Sequence, residues 1–105
     1  MTPSIDISII IVNYNVKYFL EQCLGSIYAK KTDLKLEVIV VDNNSNDRTS
    51  GIAKSKGATV IFEPVNQISK ARNVGARKAI GKYLFFIDAD TFISQSLLSF
   101  VLERL

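Results

Sequence analysis

The sequence predicts an α/β fold in which helices flank a mostly parallel β-sheet. Short runs rich in β-branched residues alternate along the chain with segments of helical periodicity. The connections are short, and strand–helix alternation of this kind builds right-handed βαβ units. The strand runs are almost continuously apolar, as strands covered on both faces should be.

Each element has its own justification. Ile7-Ser8-Ile9-Ile10-Ile11-Val12 is a buried strand that ends in Asn13-Tyr14-Asn15. Phe19, Leu20, Cys23, Leu24, Ile27 and Tyr28 then recur at helical spacing, which predicts a helix over residues 16–29. Glu37-Val38-Ile39-Val40-Val41-Asp42 is a second strand, running into the polar turn Asn43-Asn44-Ser45-Asn46-Asp47. A short helix over 48–56 follows, and Gly57 suits its C′ position. Thr59-Val60-Ile61-Phe62 is a third strand, stopped by Pro64. The next helix, over 68–79, carries Ile68, Ala71, Val74, Gly75 and Ala79 on one side, and Gly81 ends it. Tyr83 to Ile87 form the fourth strand, which opens onto Asp88-Ala89-Asp90. From Gln95 the pattern is helical again through Leu97, Leu98, Val101, Leu102 and Leu105, with Ser94 as N-cap. The whole is a Rossmann-like sheet with flanking helices, a single domain over residues 1–105. The last residue is apolar and lies inside an amphipathic run without a capping signal, which predicts a truncated end.

Composition narrows the function. At 105 residues, 48% hydrophobic and 22% charged, the chain has the make-up of a soluble domain with a modest core. The net charge of +3 comes from scattered basic residues, which argues against a nucleic-acid surface. The chain has no histidine, so a Ser-His-Asp triad and histidine-ligated zinc are excluded. One cysteine, Cys23, allows no intrachain disulfide and suits a reducing compartment; inside a helical run it is a small core residue. The first residues lack the layout of a signal peptide, and no window approaches a membrane span. The expected location is cytoplasmic, with the cytoplasmic membrane face open to a longer protein.

Polar residues follow three of the four strands, and a parallel sheet aligns such ends along one edge, where ligands bind. Asp88 and Asp90 are spaced i, i+2. In an extended chain they point the same way, about 6.6 Å apart. One could hold a divalent cation, manganese or magnesium, while the other takes a hydroxyl or a metal-bound water. The bland alternative is a solvated turn with either aspartate capping the next helix. Asp42 is a candidate acceptor for a base N–H or a ribose hydroxyl, or else it satisfies turn amides. Tyr14 could stack on a base, or be a half-buried loop tyrosine. Arg72, near Gly75, could reach a base or phosphate, or belong to a solvated helix face. Neither G-x-G-x-x-G nor G-x-x-x-x-G-K-[ST] occurs in the chain.

Together these segments resemble family 2 glycosyltransferases of the GT-A fold. The resemblance is carried by Ser8 to Asn15, by Val38 to Thr49 with its acidic turn, and by Ala71-Arg72-Asn73-Val74-Gly75 through Gly81 to Asp90. It covers most of residues 7–92, in order and with sensible spacing. It implies the N-terminal, nucleotide-sugar-binding half of a GT-A domain. Val12, Tyr14, Asp42 and Arg72 would hold the nucleoside, Asp88 the ribose or diphosphate, and Asp90, with Asp88 beside it, the metal. It also implies transfer to an acceptor with inversion, using a carboxylate base from the domain's second half, so no catalytic residue is assigned within this chain. The 105 residues alone are expected to bind donor weakly or not at all, and not to transfer sugar.

The competing reading is a non-catalytic nucleotide-binding or regulatory module. A phosphoacceptor receiver needs an acidic pair after the first strand, which Asn13-Tyr14-Asn15 does not supply. The expected donor is a uridine diphosphate sugar, with deoxythymidine and guanosine diphosphate sugars open and the acceptor unread. Surfaces exposed by truncation predict a homo-oligomer.

Overall fold

The computed structural model describes residues 4–13, 17–29, 33–43, 49–65, 67–88 and 103. Four strands lie in one sheet: β1 (Ile7–Asn13), β2 (Leu36–Asp42), β3 (Thr59–Phe62) and β4 (Tyr83–Asp88). They pair in the order β3-β2-β1-β4, and every pairing is parallel. Three helices make the crossovers: α1 (Lys17–Ala29), α2 (Thr49–Ser55) and α3 (Ile68–Lys78). The expected α/β fold, a Rossmann-like parallel sheet with flanking helices, is the observed one.

Continuous apolar strands require cover on both faces, and the sheet has it. Along β1 all seven residues are buried. Ile7, Ile9 and Ile11 face one way and pack with Leu20, Cys23, Leu24 and Ile27 of α1, Ala53 of α2, and Ile87 of β4. Ile10 and Val12 face the other way, with Ile39 and Val41 of β2 and Ala71 of α3. Right-handed crossovers explain the split. The chain steps from β1 to β2 to β3 in one direction, then returns past both to reach β4, so α3 must use the opposite face.

The helix ends differ in mechanism. Gly57, two residues past the end of α2, has φ 88, the left-handed conformation expected of a C′ residue. Helix α3 stops differently: Ala79 turns extended (φ −68, ψ 141), and its N–H is accepted by the carbonyls of Gly75 and Ala76. Gly81, expected to end that helix, lies beyond it and meets β1 instead. A Cβ there would sit 2.5 Å from Ser8 Oγ and 2.6 Å from its backbone nitrogen. The expected helix after Ser94 lies outside the described residues, apart from Glu103. No helix among the described residues is long and apolar enough to cross a membrane.

Candidate functional site

The strand order reverses direction between β1 and β4. At such a switch point the flanking loops diverge, leaving a crevice outside the carboxyl ends of the strands. Register brings the polar ends there together. Asn13 of β1 lies opposite Asp42 of β2, and Val12 lies opposite Asp88 of β4. Asp42 in turn pairs with Phe62 of β3.

These ends are tightly packed. Val12 is buried under the α3 layer, and Asp42 is 5% exposed. The Asn43 N–H donates to the Asn13 carbonyl at 2.7 Å, carrying the β1–β2 ladder one step past the strands. The Glu63 N–H donates to the Asp42 carbonyl at 2.9 Å, doing the same between β2 and β3. Asn13 and Asn43 are themselves buried. The rim is thus a row of buried polar side chains on a stiff backbone, which is what holding a polar ligand in fixed geometry requires.

Helix α3 begins where the chain leaves β3, on this same edge. Ala71 turns inward and Arg72 beside it is exposed, about 6 Å along the axis from the first residue of the helix. A guanidinium so placed lies near the rim without being buried in it. Gly75 proves to serve packing rather than ligand approach: a Cβ there would meet Ile10 Cγ2 at 2.5 Å and Val41 Cγ2 at 3.1 Å.

The structure therefore brings Val12, Asp42 and the backbone of Asp88 to one edge, with Arg72 on the helix above it. Tyr14 and Asp90 lie outside the described residues, as does the side chain of Asp88. Among the described residues, no three of the side chains that bind metals gather into one group. Sequence reasoning missed two carboxylate acceptors, one buried and one half-buried. Glu63 is 6% exposed, and its Oε2 accepts the Val65 N–H at 3.0 Å; a glutamate closing a strand just before Pro64 was the available signal. Glu37, at the far end of the sheet, joins Ser8 and the α3–β4 connection. Nothing in its local sequence marks that role.

Comparison with known proteins gives a consistent picture. The family model described as glycosyl transferase family 2 matches residues 8–105. The uncharacterized glycosyltransferase EpsJ of Bacillus subtilis (strain 168) is 32% identical over 103 residues, spanning 93% of this chain and 30% of that protein. The crystal structure of S. aureus TarS 1-349 in complex with UDP superposes with a TM-score of 0.81 at 27% identity, covering 94% of this chain and 31% of that one. The mannosyltransferase PcManGT from Pyrobaculum calidifontis, in complex with GDP-Man and Mn2+, gives 0.77 at 27% identity, covering 93% and 31%. The chain thus spans about a third of the length of each of these three proteins.

Proposed function

This chain belongs to glycosyl transferase family 2, and from that premise we propose that it is the donor-holding part of a glycosyltransferase. The full enzyme would move a sugar from a metal-bound nucleoside diphosphate sugar to an acceptor, with inversion at the anomeric carbon. The observation that carries this reading is the register at the switch point, where Asn13 meets Asp42 and Val12 meets Asp88. The UDP and GDP-Man complexes among its structural neighbours support it, and a uridine diphosphate sugar is the donor we favour.

The roles follow from chemistry. Asp42, buried at the end of β2, accepts a base N–H in a charge-assisted hydrogen bond. The backbone at Val12 and the ring of Tyr14 frame the base. Arg72 brings a fixed positive charge toward the nucleotide. Asp88 takes the ribose or diphosphate, and Asp90, with Asp88, holds manganese or magnesium. The donor set fits: these are hard oxygen ligands, few in number, and substrate phosphates complete the shell of such ions. When bound, the cation neutralises charge on the departing nucleoside diphosphate. The side chains of this chain position and orient the donor. Neither the catalytic base nor the acceptor site is assigned to its 105 residues, and the chain alone is expected to bind donor weakly without turnover.

The test is a titration with UDP, with and without manganese, followed by backbone amide shifts. We expect shifts at Val12, Asn13 and Asp42 that strengthen with manganese. Asp90→Ala removes the manganese dependence and keeps the base contacts, whereas Asp42→Ala weakens both. If Asp90→Ala leaves the manganese dependence intact, the metal assignment is wrong. If UDP moves no residue on this edge, the site itself is wrong.

A further inference from the structure

Strand β4 sits at the edge of the described sheet, and its apolar run does not fix its own register. Tyr83, Leu84, Phe85, Phe86 and Ile87 would present apolar side chains to both layers if slid by one residue. A slip of that size turns every side chain to the other face and moves the strand about 3.3 Å along its neighbour. Asp88 would then no longer lie opposite Val12. Something outside the strand has to forbid the slip.

The amino-end edge of the sheet holds such a device. Glu37 of β2 lies opposite Ser8 of β1. The Ser8 hydroxyl donates to Glu37 Oε2, and the same oxygen accepts the Ile80 N–H at 2.7 Å. Ser8 Oγ in turn accepts the Gly81 N–H at 2.8 Å. One carboxylate and one hydroxyl thus hold two consecutive amides of the segment that delivers β4. The steric half is stricter. At Gly81 a Cβ would lie 2.5 Å from Ser8 Oγ, 2.6 Å from Ser8 N and 2.9 Å from the Ile7 carbonyl carbon. The neighbours on either side, Ile80 and Lys82, both carry side chains, so a slip in either direction brings a Cβ into a place that excludes one. The Lys82 and Tyr83 amides then join the carbonyls of Ile5 and Asp6, both at 3.0 Å, and the ladder proceeds from that start.

We propose that Glu37, acting through Ser8 and the amides of Ile80 and Gly81, is a positioning residue that sets the register of β4 and thereby the place of Asp88 in the site. The link to ligand rests on the donor-site reading above; the register claim does not. The carboxylate acts at a distance: it touches neither donor nor metal, and its effect reaches the site along the length of β4.

The test uses the 105-residue chain with Glu37→Gln, Glu37→Leu and Gly81→Ala, and Leu24→Ala as a control that weakens the opposite layer. Register is read from interstrand backbone NOEs that report Val12 opposite Asp88. Function is read from the gain in UDP affinity on adding manganese, set against the affinity for uridine alone. Glu37→Gln keeps an acceptor oxygen and is expected to retain the NOEs and the manganese gain within about twofold. Glu37→Leu and Gly81→Ala are expected to melt cooperatively yet lose those NOEs, with the manganese gain falling about tenfold and uridine affinity preserved. Leu24→Ala lowers stability and leaves register and manganese gain alone. Ser8→Ala, which deletes only the hydroxyl, weakens the same NOEs if either bulkier change prevents folding. Persistence of the Val12–Asp88 register in a folded Glu37→Leu, Gly81→Ala or Ser8→Ala chain overturns the proposal. A wild-type chain with that register but no UDP binding refutes the donor-site reading instead, and the NOEs of the variants then decide the register claim by themselves.

Discussion

At Gly75 the missing side chain sets how closely α3 approaches the sheet. Alanine there gains about 1 kcal/mol of helix propensity. Its Cβ, however, would lie 2.5 Å from Ile10 Cγ2 and 3.1 Å from Val41 Cγ2, both inside a packed layer. Overpacking of that kind costs about 1–3 kcal/mol, so Gly75→Ala is expected to destabilise, by about 1 kcal/mol net, as a lower urea midpoint. Cys23 shows the same layer logic on the opposite face. It is buried among the apolar side chains of α1 and β1, and burial pushes its thiol up from an ordinary value near 9 to about 11. A folded-state value above the unfolded one stabilises fully below pH 9, and that contribution is lost as pH rises to about 11. Wild type should therefore lose more stability across this window than Cys23→Ala does, by on the order of 2 kcal/mol. Denaturant titrations of the two proteins at pH 8 and pH 11 measure the difference. The small residue at position 23 was readable from its helical spacing. The role of Gly75 was not, because a glycine in a helix looks the same whether it admits a ligand or a strand.

Among the elements, β4 is one of two edge strands, and its apolar side chains are incompletely covered. Leu84 and Phe86 are 43% and 41% exposed on the α3 side, and among the described residues no strand pairs with its outer edge. An unpaired apolar edge invites pairing with another chain. We expect the 105-residue chain to associate as its concentration rises, and Phe86→Lys to reduce that association in sedimentation velocity runs. A sedimentation coefficient independent of concentration in the wild type would remove this expectation. The elements were largely legible as elements: β3 has the expected span, β1, β2, β4 and α3 differ from expectation by one residue at one end, α2 ends one residue short, and the expected first residues of α1 and α2 lie outside the described residues. Periodicity and β-branched runs report such local choices directly. Their terminators were less legible. Gly57 behaves as a C′ glycine, but α3 ends at Ala79 without a left-handed residue, and Gly81 answers to a strand far away in sequence.

For the molecule as a whole, the reversal of strand order between β1 and β4 decides where chemistry can occur. Polar residues after three strands were visible in the sequence, and parallel strands must align their ends, so the edge that bears Val12, Asp42 and Asp88 followed from pattern alone. The sequence by itself thus determined the α/β class, the order of elements and the edge on which a ligand would sit, because each depends on local periodicity and on the few topologies that right-handed crossovers permit. Tertiary structure alone decided that β4 lies beside β1 rather than β3, that Asn13, Asn43 and Asp42 are buried at the rim, and that Glu37, Ser8 and Gly81 meet at the opposite end. The physical reason is range: those contacts join residues from 29 to 73 positions apart in the chain, and a one-dimensional pattern carries no record of which distant amide will need an acceptor once the chain has closed.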